Sequence, residues 1–214
     1  MIYWLLAIVT AALAYFFGCL DSIVIASNFI FHRNLRKLGR SSVFVSNFWR
    51  IYGWKGSLKL FLVELVHDLL PILIGGLLFG LKDQADVGRA LAGFCLLMGR
   101  MWPMTNELRG GHGAVALIFA SFGVDVSIGI AVLIVLVGAA AVSRMVSLGT
   151  LTGAAVLVLV SLLMVDKTLV LRLAIFMALI VVVRHIPAIF RISRGKEPRL
   201  SFEKDITYKL DEKF

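Results

Sequence analysis

The sequence predicts an all-α integral membrane protein with about seven transmembrane helices, its N-terminus outside and its C-terminus in the cytoplasm. Three observations carry that reading. Of 214 residues, 60% are hydrophobic and only 16% are charged, against roughly 45–50% and about 25% in soluble domains. The apolar residues fall in runs close to the ~20 residues that a helix needs to cross a ~30 Å hydrocarbon core. The basic residues also concentrate on alternate connections between those runs.

The first run extends from Ile2 to about Ala26. It lacks the positively charged start of a secretory signal, so it is expected to stay uncleaved. The second covers Leu58 to Gly80 and the third Val87 to Trp102. From Gly113 to Val142 the chain is apolar except for Asp125, which is too short for two comfortable spans and long for one. Asp125 is therefore read as a hairpin between a short helix and a normal one. The sixth span covers Val146 to Val165, and the seventh runs from Leu169 to about Phe190. Residues 1–199 form one membrane domain in this reading, and 200–214 form a charged cytoplasmic tail.

Charge placement tests the count. The segments Asn28–Lys59, Arg100–Gly113, Ser143–Met145 and the tail from Arg184 carry seven, two, one and eight Lys or Arg residues. That places 18 of the 22 on one side, leaving Lys82, Arg89, Lys167 and Arg172 on the other. Loops rich in Lys and Arg stay in the cytoplasm, so the asymmetry selects this topology. The net charge of +9 then faces anionic lipid head groups. No basic domain with interleaved stacking aromatics is present, so nucleic acid is excluded as a partner. Cys19 and Cys95 both lie in apolar runs, and no disulfide framework is suggested.

Two inner loops have the composition of oxyanion cradles. The first holds Gly39, Arg40, Ser41, Ser42, Ser46, Asn47 and Arg50. The second is Arg109, Gly110, Gly111, His112 and Gly113, followed by an apolar helix. Amides of a glycine-rich turn at a helix N-terminus bind phosphate, and arginine grips it with a planar fork. Two cradles on one face suit a substrate with two phosphates, or two phosphorylated substrates. The structural alternative is that glycine lets membrane helices approach closely and break at a cavity. Glu64, His67 and Asp68 lie three and four residues apart on one helix face, and are expected to pair with Arg144 or Arg100 inside the bundle. Tyr52, Trp54 and Trp102 are read as interfacial anchors. No role is assigned to Asp21.

Four segments, in order, are similar to the motifs of the bacterial acyl-phosphate:glycerol-3-phosphate acyltransferases, the PlsY family. "YFFGCLDSIVIASNF" and "NLRKLGRSSVFVSNFWRIYG" resemble its opening, I-R-K-x-G-S-G-N-x-G-A-T-N-x-x-R included. "GRMWPMTNELRGGHGAVA" resembles G-H-x-F-P-x-x-x-x-F-K-G-G-K-G-V-A, and "SRMVSLGT" resembles T-R-Y-V-S-L-A. "RHIPAIFRISRGKEPRL" is similar to the closing R-H-x-x-N-I-x-R-L-x-x-G-x-E-P-K. The resemblance implies seven transmembrane helices in the bacterial inner membrane with the active face cytoplasmic. It implies transfer of an acyl group from acyl phosphate to the 1-hydroxyl of glycerol 3-phosphate, giving lysophosphatidic acid, without metal or cofactor. Membrane lipids are further expected partners. His185 is the expected catalytic residue, and Arg144 and Ser147 join the two loops as expected substrate contacts.

The chain departs from the motifs at several positions. Arg40, Ser41, Ser42 and Phe44 replace residues of the first cradle, Arg109 and His112 replace lysines, and Arg100 and Ala188 replace a histidine and an asparagine. In the second span the acid persists as Glu64, while the lysine becomes His67. Positive charge is rearranged around the loops, not removed. A non-catalytic homologue that binds lipid or scaffolds a partner, an acyltransferase of altered substrate, and a small transporter are the alternative readings.

Overall fold

The computed structural model of the protein describes residues 2–20, 44–108 and 110–200, with side chains from 53 onward in the second stretch. Among the described residues all regular structure is helical. The described residues form seven α-helices in succession: α1 (Ile2–Cys19), α2 (Phe44–Gly80), α3 (Ala85–Met101), α4 (Ala114–Val124), α5 (Val126–Ser143), α6 (Val146–Met164) and α7 (Thr168–Ser193). Asp21 and residues 201–214 lie outside the described residues.

Among the described residues, five stretches are long and apolar enough to cross a membrane: α1, Gly53–Gly80 of α2, α5, α6 and α7. Their outward side chains, among them Leu62, Leu77, Ile134, Leu163 and Phe190, are exposed. So large an apolar surface needs lipid around it. The remaining two helices form the centre. Helix α3, with 17 residues, packs against α1, α2, α4 and α7 and buries Ala90, Ala92, Leu96, Leu97 and Met101 completely. Helix α4 has only 11 residues, a rise of about 16 Å, roughly half the hydrocarbon thickness. The third and fourth spans expected from sequence are thus interior helices, shorter than the five that surround them.

Two details show how sequence sets this packing. Gly18 on α1 and Gly99 on α3 face each other so closely that a Cβ on either would strike the carbonyl of Leu96 or Tyr15. The contact is reinforced where the Tyr15 hydroxyl donates to the Trp102 carbonyl at 2.8 Å. The C-terminal ends of α1 and α3 consequently behave as one unit. Asp125 ends α4 in extended backbone and caps α5, its carboxylate accepting from the Ser127 amide at 2.7 Å, which is the expected hairpin with its physical cause. Helix α2 begins earlier than the expected Leu58, and Gly53, at φ 67° and ψ −168°, breaks it between the loop-proximal piece and the span.

Candidate active site

The second glycine-rich loop connects α3 to α4. After Met101 the chain turns through Pro103 and a 3₁₀ turn, Met104–Asn106, closed by the Leu108 amide donating to the Pro103 carbonyl at 3.0 Å. Glu107 and Leu108 then adopt φ of 50° and 59°, a region costly for residues with a Cβ. Gly110 follows where a Cβ would collide with the carbonyls of Arg100 and Met101, so only glycine fits. The Gly111 amide donates to the Arg100 carbonyl at 3.2 Å. Gly113, at φ 72°, caps α4 and brings no side chain of its own to the first-turn amides. Such amides have no intrahelical partner.

Helix α7 braces the loop from the other side. Arg184 donates from Nη2 to the Gly110 carbonyl at 2.5 Å and from Nε to the Gly111 carbonyl at 3.2 Å. Its guanidinium also lies 6.0 Å from the centre of the Trp102 ring, within cation–π range. The next residue, His185, is fully buried. Its Nδ1 lies 2.8 Å from the Val181 carbonyl. A carbonyl only accepts, so Nδ1 carries a proton and a neutral ring offers its Nε2 lone pair. Among the described residues that Nε2 has no partner, and the ring sits 5.3 Å from that of His112. Partial burial lowers the pKa of His112, and the guanidinium groups of Arg184 and Arg191 lower it further, which keeps the imidazole neutral near pH 7.

The third and closing motifs complete the cluster. Ser147, at the start of α6, donates to Glu197 Oε1 at 2.5 Å, and Arg191 donates to Oε2 at 2.7 Å. Glu197 is only 8% exposed. Burial alone would raise its pKa, but the hydrogen bonds from Arg191 and Ser147 outweigh it and hold the carboxyl below its ordinary 4.5. Gly195, at φ 66°, turns the chain back after α7, and the Leu200 amide donates to the Arg144 carbonyl at 2.7 Å. The closing segment is therefore anchored to the α5–α6 corner.

The structure brings Gly110, Gly111, His112, Gly113, Ser147 and His185 into one neighbourhood with Arg184, Arg191 and Glu197. Two of the expected substrate contacts make protein contacts of their own. The Ser147 hydroxyl is engaged by Glu197. Arg144 is exposed, and it is its backbone carbonyl that holds the tail. The Arg100 guanidinium turns to Asp68 at 2.5 Å, one of the two pairings expected for the acids of the second span, so its charge is compensated inside the bundle. Gly39, Arg40, Ser41, Ser42 and Arg109 lie outside the described residues, as do the side chains of Ser46, Asn47 and Arg50. Glu197 was not singled out from the sequence. Its signal was its place in "GKEPRL", where the closing motif carries the same acid. Among the described residues no group of His, Cys, Asp and Glu has the makings of a metal site.

Comparison with known proteins decides the family. The family model described as glycerol-3-phosphate acyltransferase matches residues 8–195. The chain belongs to the glycerol-3-phosphate acyltransferase family. A glycerol-3-phosphate acyltransferase of Thermoanaerobacter sp. (strain X514) is 26% identical over 200 residues, covering 94% of this chain and 98% of that one. Another, from Prochlorococcus marinus (strain MIT 9211), is 29% identical over 199 residues, covering 91% and 95%. The crystal structure of PlsY (YgiH), an integral membrane glycerol 3-phosphate acyltransferase, in its glycerol 3-phosphate form, superposes with a TM-score of 0.71 at 24% identity, covering 91% of this chain and 96% of that one. Its lysophosphatidic acid form gives 0.73 at 22% identity, covering 92% and 96%. The family's fold, a multi-pass helical membrane protein, is the fold of this chain.

Proposed function

We propose that this protein acylates the 1-hydroxyl of glycerol 3-phosphate from acyl phosphate, releasing lysophosphatidic acid and inorganic phosphate. Family membership supports the acyltransferase reaction and its acceptor. The donor, the residue roles and the membrane placement are our reading of the geometry and the charge pattern. The seven helices alternate in direction through the bacterial inner membrane, the short α4 lying within its depth, N-terminus outside, with the α3–α4 loop, the α5–α6 corner and the C-terminal segment toward the cytoplasmic face.

The observation that carries the reading is the convergence of three separated segments on one loop. Arg184 binds the loop's carbonyls, His185 meets His112, and Glu197 joins Ser147 to Arg191. With its carbonyls drawn toward α7, the loop leaves first-turn amides of α4 for a phosphate. Arg109 and the first cradle, with Arg50, add cationic grip.

The chemistry needs little more than alignment and charge neutralisation, because acyl phosphate is an activated mixed anhydride. The acceptor oxygen attacks the acyl carbon, the carbon–oxygen bond to phosphorus breaks, and phosphate departs with the electron pair. His185 Nε2 takes the hydroxyl proton as the ester forms and returns it to the leaving phosphate. Glu197 holds Ser147 and Arg191 at the edge of the site. Its carboxylate offsets the guanidinium charge there until a phosphate arrives. Purified protein supplied with acyl phosphate and glycerol 3-phosphate is expected to form lysophosphatidic acid and phosphate in equal amounts. Binding of both without turnover overturns the reading in favour of a non-catalytic homologue, and flux into liposomes without conversion favours a transporter.

A further inference from the structure

We propose that the buried Asp68–Arg100 ion pair is a positioning device for the Gly110–Gly111 loop, linking helix α2 to the phosphate cradle without touching substrate. The inference rests on the loop being the cradle described above. Asp68 is wholly buried and Arg100 is 14% exposed, with Nη2 and Oδ1 2.5 Å apart. His67 Nδ1 shares the same carboxylate oxygen at 2.8 Å. A carboxylate taken this far from water is tolerated only when paired and hydrogen-bonded, so the geometry of the pair is fixed.

What that geometry fixes is the main chain of Arg100. Its carbonyl accepts the Gly111 amide and stands where a Cβ of Gly110 would be. One residue is therefore clamped by its side chain to α2 and carries the loop on its backbone. Arg184 restrains the same two glycines from α7, so the loop is set between two arginines, one acting through its carbonyl and one through its guanidinium. On the remaining side Gly18 and Gly99 lock α3 to α1, leaving the end of α3 little freedom other than that which Asp68 removes. Both sides of the contact use residues that depart from the family motifs, His67 for lysine and Arg100 for histidine. Here they form an interaction of this chain's own, and displacement of the loop by about 1 Å is enough to cost substantial substrate alignment.

Deleting one partner would strand a buried charge and harm folding whatever the role, so the informative protein is the double variant Asp68→Leu/Arg100→Leu, which leaves no lone charge. In the full-length protein, binding of inorganic phosphate and the KM and kcat for glycerol 3-phosphate are measured beside thermal stability. A positioning role predicts near-wild-type melting, a phosphate Kd and a KM raised about tenfold, and kcat changed by less than about threefold. Arg100→Lys, which retains a charge for Asp68, is expected to show a smaller rise of the same kind, and serves as the test should the double variant fail to fold. Wild-type Kd and KM in the folded variant, or a loss confined to kcat, overturn the proposal. Phosphate binding reads the loop without turnover. If wild-type protein binds phosphate but makes no product, the acyltransferase reading fails while the positioning test still stands. Absence of phosphate binding by the wild type sinks both.

Discussion

Helix α3 carries an ion pair at each end, and the two differ in their surroundings. Asp86, in its first turn, meets Lys167 at 2.9 Å with side-chain exposures of 29% and 47%. Arg100, in its last turn, meets Asp68 at 2.5 Å with exposures of 14% and 0%. Both lie within ion-pair distance. Exposure separates them, because water screens the first pair and cannot reach the second. The end of α3 with the buried pair is also where the glycine loop, Arg184, His185 and Glu197 collect. Ionisable groups inside a membrane bundle are costly and usually functional, and here they lie at the end of the molecule that holds the proposed site.

The largest expected effect tests that end at its centre. His185→Gln keeps a hydrogen bond to the Val181 carbonyl within reach but removes the basic nitrogen, and kcat is expected to fall roughly 10²–10⁴-fold in a product assay. Arg184→Ala removes two charge-assisted bonds to the loop, each worth about 1.5–3 kcal/mol. It should cost roughly 100-fold or more in kcat/KM, with glycerol 3-phosphate saturation as the readout. Unchanged kinetics in both would leave the exposed and buried ends of α3 functionally equal.

Stability measurements sharpen the contrast. Asp68→Leu alone strands the Arg100 charge and is expected to destabilise by about 3–5 kcal/mol in chemical or thermal unfolding. Glu197 gives a pH signature. Its folded pKa lies below the ordinary value of 4.5, so its contribution is fully present above pH 4.5 and is lost as pH falls through the lowered value. The melting temperature of the wild type should approach that of Glu197→Gln in that acid window, and exceed it at neutral pH. The smallest effect is Lys167→Ala, below about 1 kcal/mol and diminished further by salt.

Much of this architecture was legible in the sequence because its signals are local. Asp125 interrupts an apolar run, and its short carboxylate can cap only the helix that follows, so the hairpin could be read from one residue. Run length and Lys/Arg placement gave the long helices α5 and α7 to within a few residues. The burial of α3 and α4 at the centre was hidden, since an interior helix and a lipid-facing one are equally apolar. The start of α2 was hidden as well, because Ser46, Asn47 and Arg50 interrupt the piece before Gly53, apart from the apolar run that defined the span. At the site, Gly110, Gly111 and Gly113 stood out by type and spacing, and His185 by its place in the segment that resembles the closing motif. Glu197 did not, because its role depends on Gly195 turning the chain back onto Ser147, a contact 50 residues apart in sequence. The partner of Asp68 was foreseen only as one of two arginines, and packing chose Arg100.

The account depends most on the α3–α4 loop being an oxyanion site held by α7. Equilibrium binding of glycerol 3-phosphate to the purified wild type and to Arg184→Ala in lipid nanodiscs measures this most directly. The account predicts saturable binding displaced by inorganic phosphate, weakened at least about tenfold in the variant. Equal affinity in the two proteins, or binding that phosphate does not displace, would contradict it.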